Sequence, residues 1–189
     1  MATQTPERTD NFLAPQFLLL NVDGKLIDLY RSLAEDKPRA FLLMFICNHC
    51  PYVKAILEKL VLEGQKLKTA GISIFAICSN DANDYPEDSF ENMKRIASNY
   101  KFPFPYLHDS KQTVAKNYGA VCTPDFFGFN SRKILQYRGR LDDSGKNPPK
   151  AEKSELSEAM MEIANTGSHK GPQIPSIGCS IKWQNVTDH

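Results

Sequence analysis

The chain has 189 residues, enough for one domain with a substantial core, and its 41% hydrophobic and 24% charged residues are ordinary for a globular protein. Its formal net charge is only +1 and neither sign forms a long run, so composition gives no support for a nucleic-acid or membrane-surface partner. No apolar stretch approaches the roughly 20 residues that span a bilayer, and the polar N-terminus lacks the apolar region of a secretory signal, so we expect a cytoplasmic protein.

The first part of the chain predicts an arm, a hairpin and a buried strand. Residues 1–11 are polar and are expected to form a flexible arm. An Asp-Gly pair at 23–24 separates apolar runs at 17–22 and 25–29, a pattern that predicts a β-hairpin. Residues 41–46 are six consecutive apolar residues, which favours a strand buried on both faces of a sheet.

The middle of the chain predicts alternating helices and strands. Pro51 suits the first turn of a helix, because its missing N–H would be unpaired there anyway, and apolar residues follow at helical spacing up to Gly71. A second buried strand is predicted at 72–77, and a second helix over 84–100. The apolar stretch 104–108 is expected at a sheet edge or a strand start, since two prolines lie in or beside it.

The last part predicts a short helix ending at Gly119, two strands at 126–129 and 133–140, a final helix and an extended tail. This order of elements predicts an α/β fold with a sheet of mixed direction. We therefore expect one domain over residues 12–169, with residues 170–189 as a tail docked on it.

The cysteines carry the strongest chemical signal in the sequence. They stand at positions 47, 50, 78, 122 and 179. An odd number without a secretory signal argues against a disulfide-stapled scaffold, so a close pair is expected to be catalytic or metal-binding. Cys47 and Cys50 are such a pair, and they lie between the buried strand and the helix predicted to begin at Pro51.

A thiolate at a helix N-terminus is stabilised by roughly 0.3–1 kcal/mol through the helix dipole. Since one pKa unit corresponds to about 1.4 kcal/mol, the dipole alone lowers a thiol pKa by less than one unit. Hydrogen bonds from helix N–H groups and from the second thiol must add the rest, and a protonated His49 would help. We predict that Cys47 is the exposed nucleophile and that the more buried Cys50 resolves the mixed disulfide.

Several motifs together resemble the thioredoxin fold, and more specifically a peroxiredoxin-like subgroup of the redoxins related to the AhpC/TSA proteins. The motifs are Cys47-Asn48-His49-Cys50-Pro51-Tyr52-Val53, Thr123-Pro124, Ala14-Pro15-x-Phe17, Val22-Asp23-Gly24-Lys25 and Gly178-Cys179-Ser180-Ile181-Lys182-Trp183. The resemblance covers about residues 12–183, nearly the whole chain.

The resemblance implies a thioredoxin-like fold with a mixed central sheet flanked by helices, an N-terminal β-hairpin extension and an extended C-terminal tail. It also implies that the Thr123–Pro124 peptide bond is cis, faces the cysteines and lets the Thr123 backbone pair with an extended substrate peptide. The implied partners are protein or small-molecule disulfides and a thiol reductant system. If the protein is instead a thiol peroxidase, peroxides are also implied. No cofactor is expected.

Three departures from the related families matter. The buried strand offers no carboxylate that could accept a proton from Cys50. Cys50-Pro51 resembles the peroxidatic Cys-Pro of peroxiredoxins, but Cys47 stands where a Thr or Ser normally precedes it. The arginine that activates peroxide is missing near 121–123, and Arg138 or Arg140 could replace it only if folding brings one of them close. The residues therefore favour disulfide exchange over peroxide reduction.

The remaining candidates each have two interpretations. His49 either tunes the thiolate or is a solvated loop residue. Cys122 either borders the active groove, where it is a possible second resolving cysteine, or packs in the core, and Cys78 is expected to be structural. Cys179 is either a second resolving cysteine or part of a tail that apolar neighbours dock.

Three functional hypotheses remain open at this point. The first is a thiol–disulfide oxidoreductase, and the second is a thiol peroxidase with an antioxidant role. The third is a non-enzymatic redox-sensing or metal-binding module, with Cys47, His49 and Cys50 as the available ligands. A closed zinc site needs four ligands with a second spaced pair, so no metal is expected.

Overall fold

The computed structural model describes residues 2–6, 11–145 and 154–185. The strands found there are β1 (Ala2–Gln4), β2 (Leu18–Asn21), β3 (Leu26–Asp28), β4 (Ala40–Phe45), β5 (Ile72–Cys78), β6 (Tyr106–His108), β7 (Cys122–Thr123), β8 (Asp125–Asn130), β9 (Leu135–Gly139) and β10 (Ile177–Ser180). The α-helices are α1 (Leu29–Asp36), α2 (Pro51–Thr69), α3 (Phe90–Asn99), α4 (Thr113–Tyr118) and α5 (Glu155–Thr166). A short 3₁₀ helix covers Pro86–Asp88.

The main sheet has seven strands in the order β3-β2-β6-β5-β4-β8-β9. β4 runs parallel to β5, and β5 runs parallel to β6, whereas the pairs at both ends of the sheet are antiparallel. This is the mixed α/β sheet with an N-terminal hairpin that the sequence predicts. β6 lies inside the sheet, and Pro105 stands immediately before it, where a missing N–H does not interrupt the strand.

The core lies on both faces of β4, whose six residues are all buried. Leu42 and Met44 face α2 and α5 in one cluster, while Phe41, Leu43 and Phe45 face the aromatic residues of the other cluster. Burying one such side chain fully contributes about 1.5–3 kcal/mol, so this strand is among the most firmly held elements of the fold. Its C-terminal end therefore gives the two cysteines that follow a rigid support.

A second, three-stranded sheet joins the two ends of the chain in the order β1-β10-β7. Ala2 lies opposite Cys179 on one side of β10, and Thr123 lies opposite Cys179 on the other. The prediction of a flexible arm is wrong for Ala2–Gln4, because these residues pair their backbone with β10. Polar side chains do not indicate such backbone pairing. Residues 7–10 of the predicted arm lie outside the described part of the chain.

The tail is docked through residue 185, as far as the structure describes it. Besides the strand pairing, the backbone of Lys182 accepts from the Asp81 N–H at 2.8 Å and donates to the Asn80 side chain at 2.9 Å. The Gln112 side chain donates to the Lys182 carbonyl at 2.7 Å. None of the helices in the described ranges combines the length and the hydrophobicity needed to cross a membrane.

Candidate active site

Cys47 and Cys50 lie where β4 ends and α2 begins. Cys50 is the N-cap residue of α2, and Pro51 is its first helical residue. The prediction that Cys47 is exposed is wrong, because its exposed fraction is 2% and that of Cys50 is 0%. Residues far along the chain contact this segment, since Asp88 of the 3₁₀ helix accepts from the Asn48 N–H and Thr123 contacts both sulfurs, and the local sequence does not indicate these contacts.

The structure brings both cysteines to the Thr123–Pro124 segment. The Sγ of Cys47 lies 3.1 Å from the hydroxyl of Thr123. The Sγ of Cys50 lies 3.2 Å from the carbonyl oxygen of Thr123, to which its thiol donates when protonated. The Thr123–Pro124 peptide bond is cis, as the resemblance implies. Both halves of the predicted site therefore meet in the fold.

The pKa values of the two thiols are shifted in opposite directions. The pKa of Cys50 is lowered to about 4, first by a hydrogen bond from Cys47 and then by the thiol of Cys179 and the backbone N–H of Val53 in the first turn of α2. Burial raises the pKa of Cys47 well above its usual value, and the nearby Asp88 carboxylate adds to this. In the reduced pair the proton therefore stays on Cys47 and the negative charge on Cys50.

Asp88 is a site residue that the sequence reasoning missed. It is fully buried, and its Oδ1 accepts from the backbone N–H groups of Asn48 at 2.6 Å and His49 at 3.2 Å. Its Oδ2 lies 2.5 Å from Nδ1 of His49 and accepts from the Asn80 amide at 2.8 Å. One carboxylate thus clamps the loop between the two cysteines.

The predicted fold did indicate that the segment containing Asp88 lies near the cysteines. The loops after adjacent parallel strands meet at the carboxyl edge of a sheet, so the segment after β5 had to lie near the cysteines that follow β4. That segment contains four acidic residues, Asp81, Asp84, Glu87 and Asp88, and the sequence does not indicate which one turns inward. The buried carboxylate therefore comes from the neighbouring loop and not from β4.

His49 forms an ion pair with Asp88 and stacks on Tyr85, with ring centroids 5.2 Å apart. The hydrogen bond to Asp88 raises the pKa of His49, and this outweighs the opposing effect of burial. Burial would raise the pKa of Asp88, but hydrogen bonds from His49 and Asn80 hold it below its usual value. Whether His49 also tunes the thiolate stays a prediction.

The His49–Asp88 pair predicts a defined pH dependence of stability. A raised histidine pKa stabilises the fold fully below pH about 6.5, and this is lost as pH rises through the folded-state value. A lowered aspartate pKa stabilises it above pH about 3.9, and this is lost as pH falls. We therefore expect His49→Gln to reduce the free energy of unfolding by about 1.5–3 kcal/mol near pH 5.5 and by less near pH 9, measured by urea denaturation.

His108 provides the matched control for this measurement. Burial lowers the pKa of His108, so protonation at acidic pH destabilises the fold. His108→Gln should therefore show the opposite pH trend, losing less stability at acidic pH than at alkaline pH. A His49→Gln penalty that grows with rising pH would contradict the ion pair.

The structure also brings Cys179 to the active pair. Cys179 lies opposite Thr123 in the pairing of β10 with β7, and its thiol helps to lower the pKa of Cys50. It is partly exposed, and burial raises its pKa to about 11. The strand position that the resemblance assigns to a substrate peptide is thus occupied by the tail of the same chain. Whether Cys179 resolves a disulfide stays a prediction.

The other residues that the sequence predicts for the site, Cys122 and Arg138, form their contacts with other groups. Cys122 is fully buried, and its Sγ lies 3.8 Å from the carbonyl oxygen of Pro124, so it packs below the groove. Arg138 donates to Asp125 at 2.9 Å and to the Gly119 carbonyl at 2.8 Å. The described contacts of Arg138 thus go to other partners than the cysteine pair.

Arg140 likewise pairs with Glu155 at 2.6 Å. The cysteine pair thus gains no described guanidinium contact that would replace the arginine of peroxiredoxins. A metal is also poorly supported: the donor atoms of Cys47, His49 and Asp88 lie within 4.8 Å of one another, but the carboxylate already accepts hydrogen bonds on both oxygens.

The sequence model of the AhpC/TSA family matches residues 12–138. A comparison with curated proteins finds no match. Among solved structures, the chain is 41% identical to an uncharacterized conserved protein from Geobacillus kaustophilus, over 99% of this chain and 98% of that chain, with a TM-score of 0.86. It is 37% identical to a hypothetical protein from Sinorhizobium meliloti, over 97% of this chain and 99% of that chain, with a TM-score of 0.87.

A more distant likeness confirms the fold. A secreted Mycobacterium tuberculosis disulfide oxidoreductase homologous to E. coli DsbE is 20% identical, over 76% of this chain and 92% of that chain, with a TM-score of 0.56. The family match supports a redox function carried on the thioredoxin fold. Because that match covers more than half of the chain, this protein belongs to the AhpC/TSA family.

Proposed function

We propose that this protein is a thiol–disulfide oxidoreductase that exchanges disulfides through Cys47 and Cys50. The observation that most supports this proposal is that both sulfurs contact Thr123 while their pKa values are shifted in opposite directions. A proton-bearing sulfur next to a stabilised thiolate is the arrangement that disulfide exchange needs, because one sulfur attacks while the other leaves or resolves.

The proposed reaction begins with Cys47 as the thiol and Cys50 as the thiolate. As the sulfur of Cys47 attacks one sulfur of a disulfide, R–S–S–R, the Cys50 thiolate takes up the proton that Cys47 loses. A bond forms between Cys47 and one R–S group, and the other leaves as R–S⁻ and takes up the proton from Cys50. The regenerated Cys50 thiolate then attacks Cys47 and releases the second R–S⁻.

The net result balances in atoms and electrons. The substrate disulfide gains two electrons and becomes one thiol and one thiolate, which takes a proton from solvent, and the Cys47–Cys50 pair loses two electrons and becomes a disulfide. The reverse reaction also passes through Cys47, because Cys50 is the better leaving group and a thiolate leaves faster when its pKa is low. A thiol reductant system closes the cycle.

A thiol peroxidase is the second candidate, and one observation favours it. Cys50 combines a lowered pKa with a place at the start of α2, directly before Pro51, as a peroxide-reactive thiolate requires. Its thiolate would take the terminal OH of a hydroperoxide to become a sulfenic acid, and the released alkoxide would take a proton from solvent to become an alcohol. Cys47 would then condense with the sulfenic acid and release water.

The two candidates are separated by the substrate and by the cysteine each one needs. We expect the wild type to turn over a small disulfide faster than hydrogen peroxide in an assay coupled to a thiol reductant, and Cys47→Ser to abolish the disulfide reaction. Rapid peroxide consumption that survives Cys47→Ser would instead establish the peroxidase. One bound metal ion per purified chain, with neither substrate turned over, would support the non-enzymatic alternative.

A further inference from the structure

The groove beside the cis peptide bond is filled by the chain itself. Gly178 of β10 lies directly over the Thr123–Pro124 bond, and a Cβ added at Gly178 would stand 2.0 Å from the Thr123 carbonyl oxygen. The next residue, Cys179, pairs with Thr123. An extended peptide cannot use the same backbone while β10 is docked, so the reacting sulfur must be reached from another side.

A cavity of about 180 Å³ offers that other side. Cys47 lines it, and it is the one cysteine of the described residues that does so. Leu57, Ile96 and Phe102 contribute apolar wall, and Tyr100 stands at the mouth with an exposed fraction of 37%. Cys47, whose sulfur attacks in the proposed reaction, thus forms part of the wall of a small, mainly apolar recess.

The size and lining of the recess indicate what fits there. An apolar cavity of about 150 Å³ can bind one benzene molecule. A volume of about 180 Å³ therefore holds one substituted aromatic ring but not a folded peptide loop. Lys54 is exposed at the rim and provides a positive charge for a carboxylate on that ring. A larger cavity of about 530 Å³ is lined by Pro38, Ile72 and their neighbours at the opposite end of the main sheet, far from the cysteines.

We propose that this cavity binds one half of a low-molecular-weight aromatic disulfide and presents its sulfur to Cys47, while the docked β10 excludes extended peptides. This inference rests on the proposed disulfide exchange and adds the substrate class to it. The Cys47 thiolate bonds to the sulfur of the half in the cavity, and the other half leaves as an aromatic thiolate with the electron pair of the broken S–S bond.

The first test compares substrates on the full-length wild type. The probes are dithiobis(nitrobenzoate), hydroxyethyl disulfide and insulin, and each kcat/KM is divided by the rate constant of the same disulfide with free dithiothreitol. We expect the normalised value for the aromatic probe to exceed that of hydroxyethyl disulfide at least tenfold, and insulin to be reduced least. Equal normalised values for the two small probes would overturn the inference while leaving disulfide exchange intact.

Substitutions of residues that line the cavity test the same inference about aromatic disulfides. Ile96→Trp fills the cavity, so the ratio of aromatic to hydroxyethyl turnover should fall toward one. Tyr100→Ala widens the mouth at a partly exposed position and should lower the ratio severalfold even if Ile96→Trp fails to fold. Arg95→Trp is the matched control, because it adds the same ring on α3 at an exposed position outside the cavity lining. An unchanged ratio in a folded Ile96→Trp or Tyr100→Ala protein would overturn the inference.

Gly178→Ala tests the exclusion of peptides. The added methyl group cannot fit against Thr123, so β10 must move away, and we expect insulin reduction to rise at least severalfold. Ile177→Ala is its control, because that side chain on β10 is 52% exposed. Insulin reduction by the wild type at the rate of the aromatic probe would contradict the exclusion. Absence of turnover with every disulfide would overturn the proposed function itself, and the inference with it.

Discussion

Cys47→Ser is expected to lower the rate of disulfide exchange by more than about 10³-fold, and Cys50→Ser to stop turnover after one substrate half has bonded to Cys47. A serine hydroxyl does not replace a thiolate as nucleophile, and Cys47 is the cysteine that lines the cavity. Without Cys50 the mixed disulfide has no resolving thiolate beside it. Steady-state kinetics measures the first effect, and intact-mass spectrometry shows the trapped adduct as a mass increase of one substrate half.

Cys78→Ala is the control for both variants, because Cys78 is buried at the end of β5 and has no part in the proposed exchange. It should keep most of the exchange activity. A trapped adduct on Cys50 in the Cys47→Ser protein, formed as fast as the wild-type reaction, would reverse the roles assigned to the two cysteines.

Asp88→Ala is expected to cost about 3–5 kcal/mol of the free energy of unfolding, because it breaks a buried ion pair by removing one partner. It also leaves the backbone N–H groups of Asn48 and His49 without their acceptor, so the loop between the cysteines loses its clamp. Exchange activity should therefore fall even at temperatures where the variant is folded. Urea denaturation and activity of the folded fraction measure the two effects separately.

Glu87→Ala is the matched control for Asp88→Ala. Glu87 is the preceding residue, its side chain is exposed, and its contact with the site is a backbone carbonyl that accepts from Asn48 at 2.9 Å and that alanine keeps. Its substitution should change stability by less than about 0.5 kcal/mol. If Asp88→Ala and Glu87→Ala proved equally mild, Asp88 would have no clamping role.

The sequence predicts most of the main sheet because its signals are local. The continuous apolar run at 41–46 and the proline at 51 place the two cysteines at a strand-to-helix junction, and the structure puts that junction there. Thr123-Pro124 was predicted to face the cysteines through resemblance to a family, since the residues between do not reveal a contact over more than seventy positions.

Long-range burial is what the sequence could not provide. Cys47 was expected to be exposed, but it is buried and its sulfur lies against Thr123, 76 positions further along the chain. The pairing of Ala2–Gln4 with β10 brings together residues from opposite ends of the chain. Such pairing uses backbone N–H and C=O groups and not side chains, so no side-chain pattern predicts it.

The central claim is that Cys47 and Cys50 form the redox-active disulfide, and peptide mapping tests it most directly. The reduced wild type is treated with one equivalent of an aromatic disulfide, alkylated with one label, then reduced and alkylated with a second label. The account predicts the second label on Cys47 and Cys50, and the first label on Cys78 and Cys122. Consumption of the disulfide with the first label on Cys47 and Cys50 would contradict it.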